Sequence, residues 1–343
     1  MTARRTLVAL MVLAVTAGPA LAQGKKSRKI TMKGSNSEVM ASEFGYSVKP
    51  KEKYTIAVVV KSQAIPVWQS HIIASKKAGK NLGVTVLDYA PSKADNVEEQ
   101  KRILEDLVTA GVDCVVLAPA NSEAVRGSVQ GLIKAGIPVV YDNTMGPSDV
   151  DYTTFIGVDS IQAGEEIAKA IATAMKGTGK LLVLEGVPGQ STSDLRVKGV
   201  KDYLAKHYPG IQAESAVTNW QFEQGRTVTA DYITKWGDKL KAVVSVGGNQ
   251  SEGAVEAVKA AGMKGVLIGG FDVQQPQYQA VASGDEIFTV SQGVYDQGYL
   301  SVAACVKVLN GEVVPRYVKT PISIVTKANL AKHDERPDAL QAR

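Results

Sequence analysis

Tyr54-Thr55-Ile56-Ala57-Val58-Val59-Val60 is a largely apolar run rich in β-branched residues. A run of that length reads as a strand buried on both faces. It opens a strict alternation. Further strand candidates lie at Val84–Asp88, Cys114–Ala118 and Pro138–Tyr141. Amphipathic stretches of helical length separate them, near Gln69–Lys80, Asn96–Ala110 and Glu123–Ala135. Strands that alternate with helices predict βαβ units and a parallel sheet covered on both faces.

The rhythm then restarts. Strands are expected at Leu181–Glu185, Gln212–Val217, Ala242–Val246, Val266–Gly269 and Ile287–Val290. Helices fall between them, near Asp194–His207, Glu223–Trp236 and Glu252–Ala261. Two similar α/β units in series predict two lobes facing each other. Gly111, Gly136 and Gly262 follow helical stretches, where a left-handed residue ends a helix.

Outside the alternation, the first residues read as an export signal. Arg4-Arg5 is followed by an apolar run from Leu7 to Val15 and by Ala20-Leu21-Ala22 before Gln23. A basic start, a short apolar core and an A-x-A site predict a signal peptide over 1–22. The apolar core is too short to span a bilayer comfortably. The mature chain is then expected to start at Gln23 and to work outside the cytoplasm. Residues 23–51 are polar and rich in Ser, Gly and Lys, and predict a flexible amino-terminal arm. Residues 331–343 read as a polar tail.

Composition narrows the class. About 321 residues remain after a leader of 22 is removed from 343, enough for two domains with their own cores. Removing Arg4 and Arg5 from the 39 basic residues leaves 37 against 34 acidic ones. So small an excess does not argue for nucleic acid. The basic clusters at 25–29 and 49–53 lack aromatic partners at stacking spacing and read as solvated surface. Only Cys114 and Cys305 are present, far apart and without a C-x-x-C. A disulfide is permitted outside the cytoplasm but is not indicated by spacing, and two buried free thiols are expected.

In open α/β sheets, ligands sit beyond the carboxyl ends of the strands. Those ends carry a polar and aromatic set here. Gln63, Pro66 and Trp68 follow the first strand, and Asp142-Asn143-Thr144 the fourth. In the second unit come Glu185, Gln190 and Arg196, then Trp220, then Asn249, then Asp272, then Gln292. Carboxylates accept from hydroxyls, Arg and Asn donate, and an indole face covers C–H surface. Such a set suits a small neutral polyhydroxylated ligand. Trp220 could equally pack a core or hinge, and Asp142 and Asp272 could cap helices.

Other chemistries lack their residues. There is no G-x-x-x-x-G-K-[ST] phosphate loop, and Leu184–Gly189 lacks the G-x-G-x-x-G order. No G-x-S-x-G elbow occurs. His71, His207 and His333 are isolated from one another and make no metal site or base–nucleophile pair. No cofactor and no metal are expected, and the balance falls on binding without catalysis.

From about Tyr54 to Val325 the chain resembles the ribose-binding type of periplasmic binding protein, the solute receptors of sugar ABC transporters. Thr55–Val60 and then Ile65-Pro66-Val67-Trp68 look like that family's first strand and aromatic loop. Ile65 stands for a polar residue and Val67 for one aromatic. Ile137-Pro138-Val139-Val140-Tyr141-Asp142-Asn143 resembles the "I-P-V-I-x-x-D-R" region. The resemblance gives Asp142 the role of the sugar-binding Asp, with Asn143 where Arg is usual. Gly186–Gly199 resembles the glycine-rich loop and helix that place the binding arginine on Arg196. Trp220 falls at an aromatic position, Gly270-Phe271-Asp272 is similar to "G-F-D", and Gln292 matches the family's glutamine. Gly247–Gly253 departs from "N-D-x-x-A-x-G", with Asn249 the nearest replacement for its asparagine.

The resemblance implies an α/β fold of two Rossmann-like lobes with parallel sheets joined by three hinge crossings. Lobe one is expected over 52–156 plus 293–321, and lobe two over 157–292 plus 322–330. It implies a periplasmic monomer that binds a pentose, hexose or polyol and delivers it to the permease of an ABC importer. A chemoreceptor is a further expected partner. A related polyhydroxylated signal, such as a quorum-signalling furanosyl compound or an inositol derivative, is the alternative ligand. An extracytoplasmic sugar-acting enzyme is the alternative of another class. A DNA-binding repressor shares the fold, but it would carry an amino-terminal helix-turn-helix in place of the expected leader and arm.

Overall fold

The computed structural model describes residues 30–333. The expected leader at 1–22, the basic cluster at 25–29 and residues 334–343 of the tail lie outside the described residues. The elements of the first half are β1 (Ser35–Met40), α1 (Ala41–Phe44), β2 (Thr55–Val59), α2 (Pro66–Leu82), β3 (Thr85–Tyr89), α3 (Val97–Ala110), β4 (Cys114–Leu117), α4 (Arg126–Lys134), β5 (Val139–Asp142) and β6 (Thr154–Gly157). There follow α5 (Ser160–Ala174), β7 (Gly179–Glu185), α6 (Ser191–His207), β8 (Ile211–Val217), α7 (Phe222–Trp236), β9 (Leu240–Ser245), α8 (Gly248–Ala260), β10 (Leu267–Gly269), α9 (Gln275–Ser283) and β11 (Thr289–Ser291). Then come α10 (Val294–Leu309), β12 (Pro315–Lys319) and β13 (Ser323–Val325).

Two sheets organise these elements. One has seven parallel strands in the order β1-β12-β6-β5-β4-β2-β3, the other four in the order β10-β9-β7-β8. A small antiparallel pair, β11 with β13, accompanies the second. The central strands are sealed on both faces: Ile56, Ala57, Val58 and Val59 are all fully buried, as are Leu181 to Leu184. That explains their unbroken hydrophobic reading. Separate cores lie on the two faces of the larger sheet, and another packs inside the second lobe. No described helix is long and apolar enough to cross a membrane.

The chain passes between the sheets three times. It goes from β6 into α5 at 157–160, returns from β11 into α10 at 291–294, and leaves β12 for β13 at 319–323. Helix starts are locally encoded. The Asn96 side chain accepts from the Glu99 amide at 3.0 Å, and Asp159 accepts from Ile161 and Gln162. Close packing of α5 on α6 requires glycine. A Cβ on Gly164 would collide with the Arg196 carbonyl oxygen, and one on Gly199 with that of Ile161. This contact fixes the turn of α6 that carries Arg196.

Two expectations fail. The cysteines are not free thiols: Cys114 on β4 and Cys305 on α10 form a disulfide. Helix α10 returns from the second lobe to lie on β4, which brings Cα atoms 191 residues apart to 5.9 Å, within bonding range. The segment after residue 34 is no flexible arm. Strand β1 pairs in parallel with β12, and Phe44 of α1 is buried in the core beside α10. Lys51 is tied to Asn310 through both its amide (2.9 Å) and its ammonium (2.7 Å). These residues cover what would otherwise be an open sheet edge at β12.

Candidate functional site

A cleft opens between the two sheets, at the carboxyl ends of their strands. In each sheet it lies near the switch point: β2 stands between β3 and β4, and β7 between β8 and β9. Trp68 and Asn143 line it from the seven-stranded side. Arg196, Trp220, Asn249 and Asp272 line it from the other, and Gln292 from the crossing after β11.

Gln292 ties the polar residues together. Its Oε1 accepts from Arg196 Nη2 at 2.9 Å and from Asn143 Nδ2 at 3.0 Å, and its Nε2 donates to Asp272 Oδ1 at 2.5 Å. Asn143 Nδ2 also reaches Gln297 Oε1 at 3.0 Å. Arg196 donates to the Val246 carbonyl at 2.9 Å, and its guanidinium lies 3.9 Å from the centre of the Phe271 ring. Burial pushes the Arg196 pKa down to about 10, and the Asp272 carboxylate opposes this, so the guanidinium stays charged at neutral pH. Asn143, Trp220 and Asp272 hold φ of +59°, +60° and +67°. Left-handed backbone at three non-glycine lining residues is strain stored at one place.

The aromatic walls are built differently. Trp68 follows Pro66 at the start of α2, where proline is favoured because its missing N–H has no helical partner. Its ring packs 5.1 Å from that of His71. The Trp220 indole slots between Gly186 and Gly247, and a Cβ on either would collide with it. Its Nε1 donates to Gln190 Oε1 at 2.9 Å.

Asp142 is not brought into the cleft. It ends β5 with 1% of its side chain exposed, and its Oδ2 lies 3.0 Å from Nδ1 of the fully buried His71. The strand ends there, and the next residue, Asn143, turns left-handed at φ +59° and lines the cleft. Counting the "I-P-V-I-x-x-D-R" spacing from Ile137 gives the same result: Tyr141 and Asp142 occupy the two free positions and Asn143 that of the Asp. The earlier placement on Asp142 is off by one residue.

Sequence reasoning also passed over Lys61, Thr192, Gln274 and Gln277, all of which line the cleft. Lys61 is the consequential omission. It is 2% exposed and donates to Gln190 Oε1 at 2.6 Å. Burial pushes its pKa down to about 7, with Asp95 opposing and Arg196 adding to the effect. A signal existed, since Lys61 lies just beyond the carboxyl end of β2.

The profile of the periplasmic binding protein domain matches residues 56–312. The chain belongs to the periplasmic binding protein family. A putative rhizopine-binding protein of Rhizobium meliloti is 32% identical over 249 residues, covering 69% of this chain and 79% of that protein. A D-ribose/D-allose-binding protein of Pseudomonas aeruginosa is 30% identical over 243 residues, covering 67% of this chain and 75% of that protein. Among solved structures, an ABC transporter solute-binding protein of Agrobacterium vitis with bound D-fucose is 29% identical. It has a TM-score of 0.77 and covers 83% of this chain and 98% of that one. In this periplasmic binding protein the cleft offers donors from Lys61, Arg196 and Asn249, acceptors in Asp272 and the Asn143 amide oxygen, and two indoles. Hydroxyl groups over a carbon ring satisfy such a set, with both walls contributing.

Proposed function

We propose that the chain is a periplasmic receptor that binds one monosaccharide or polyol between its lobes and presents it to an ABC importer. The observation that carries this is the Gln292-centred network, in which Asn143, Arg196 and Asp272 meet at one buried amide in a cleft also lined by Trp68 and Trp220. The family is one of solute receptors and not of enzymes. Within the cleft we assign ligand contacts to Trp68, Asn143, Arg196, Trp220, Asn249, Asp272 and Gln292, and add Lys61. We assign lobe one to 52–156 and 293–321 joined by the docked segment from residue 35. Lobe two takes 157–292 and 322–330. The partners in this reading are an inner-membrane permease and a chemoreceptor.

The test is a thermal-shift screen of pentoses, hexoses, pentitols and inositols, followed by calorimetry on the hits. A ligand present at a hundredfold excess over its Kd stabilises the native state by about 2.7 kcal/mol, an easily read shift. Binding at one ligand per chain, with the compound recovered unchanged, is the expected result. Recovery of a converted compound, or silence across the panel with ligand-stripped protein, would overturn the reading.

A further inference from the structure

We propose that Gln190 latches the two lobes together without ligand and, as a positioning residue, sets the pose of Trp220 and Lys61. Gln190 stands just before α6 in the second lobe and is fully buried. Its Oε1 accepts from Lys61 Nζ at 2.6 Å and from Trp220 Nε1 at 2.9 Å. Its Nε2 donates to Asp95 Oδ1 at 2.6 Å and to the Ala120 carbonyl at 2.9 Å. A side-chain amide has two acceptor sites and two donor hydrogens, so this one is filled. Three of the four partners (Lys61, Asp95 and Ala120) belong to the opposite lobe.

The surrounding backbone continues the same contact. The Ser122 amide donates to the Gly189 carbonyl at 2.9 Å, and the Ser191 amide to Ser122 Oγ at 3.0 Å. The Met145 amide donates to Ser191 Oγ at 2.9 Å. Each bond crosses between lobes and none requires a ligand. At the other end of the cleft, Ser70 Oγ donates to Gln274 Oε1 at 2.9 Å, a single exchange between side chains that are only part-buried. Bonds in a buried network with ionisable partners are stronger than exposed ones, because water competes less for either side. Opening therefore breaks its strongest bonds beside Gln190. The same amide holds one lining residue from each lobe, Lys61 and Trp220, so closure and assembly of the ligand walls are one event.

The experiment is small-angle X-ray scattering on ligand-free protein, stripped by unfolding and refolding, comparing the wild type with Q190A, Q190E and S70A. Circular dichroism confirms the fold of each. Q190E keeps the side-chain size if Q190A fails to fold. It loses both donated bonds and sets a carboxylate against Asp95. Both Gln190 variants should expand relative to wild type, with the closed-to-open ratio falling at least ~tenfold. S70A should keep the wild-type profile. Trp220 emission in the ligand-free protein should shift red in Q190A and lose that shift when W220F is added. Indistinguishable profiles for wild type, Q190A and Q190E overturn the proposal, as does expansion of S70A to the same degree. The role of Trp220 as a ligand wall rests on the proposed function. The scattering is measured without ligand, so its failure leaves the proposed function standing.

Discussion

Replacing Glu286 by glutamine should stabilise the protein above neutral pH and do little in acid. Glu286 is 1% exposed and lies beneath the strand end that carries Asp272. A Cβ on Gly270 would collide with its carboxylate. Burial pushes its pKa from the ordinary 4.5 up to about 8, against the pull of the Ser251 hydroxyl and with repulsion from Glu252 and Asp285. The native state then binds more protons than the unfolded chain between these two values. Stability falls as pH rises through that window. At about 1.4 kcal/mol per pH unit, the loss from pH 4.5 to pH 7 is roughly 3 kcal/mol. An amide of the same shape does not titrate, so E286Q escapes the loss. Urea unfolding of both proteins at pH 5, 6, 7 and 8 measures this. The two should agree near pH 5 and diverge in favour of E286Q, by a midpoint difference of roughly 1 M or more at pH 8. A difference that stays constant from pH 5 to pH 8 would refute the reasoning.

Other expectations follow from the same structure. The Cys114–Cys305 bond closes a loop of 191 residues, which stabilises the native state by about 5 kcal/mol in the chain-entropy description. C114A/C305A and reduced wild type should both unfold at lower urea, and equal midpoints with titratable thiols in the reduced sample would count against it. N143A should weaken ligand binding by roughly tenfold and also lower stability, because it loses two buried hydrogen bonds and puts alanine at a left-handed φ. D142A should lower stability by ~1–3 kcal/mol, by leaving His71 without its neighbour, with affinity nearly unchanged. Calorimetry separates the two, and weakened binding in D142A with unchanged binding in N143A would restore Asp142 as the ligand residue. Lys61 has its folded pKa lowered, so the native state loses its proton first. Stability gains accordingly as pH rises from about 7 towards 10.5. K61M should lack that gain, and a parallel pH profile would exclude the effect.

Much of the fold was legible because parallel strands sealed on both faces leave continuous β-branched runs, as at Ile56–Val59 and Leu181–Leu184. Strand β1 was not legible. Ser35–Met40 is a largely exposed edge, paired with residues about 280 positions further on, and carries almost no apolar pattern of its own. The disulfide was hidden for the same reason: proximity arose from a helix returning out of the other lobe. In the site, residue types at strand ends were readable, but facing was not. At the end of β5 the chain turns left-handed at Asn143, so one step along it separates Asp142, packed on His71 of α2, from a side chain that lines the cleft. Gln190 and Lys61 both stand at strand ends, but the bond that joins them is visible only once the lobes are set against each other.

The three crossings also impose an order of assembly. Strands β7 to β10 of the four-stranded sheet, and α5 to α8 around them, lie in one unbroken stretch of chain. The seven-stranded sheet does not, because β12 joins it last and links β1 to β6. As the chain emerges amino-terminus first, the earlier-synthesised lobe is the later one to be completed. Until then its edge at β6 is unpaired, and Cys114 has no partner until Cys305 arrives. The second lobe, though later in sequence, can settle first and deliver α10 to the waiting sheet. Slow, non-local closure of this kind is where misfolding begins. An export or refolding defect should therefore arise more readily from substitutions in α10 and β12 than from equally buried ones in β7 or β9.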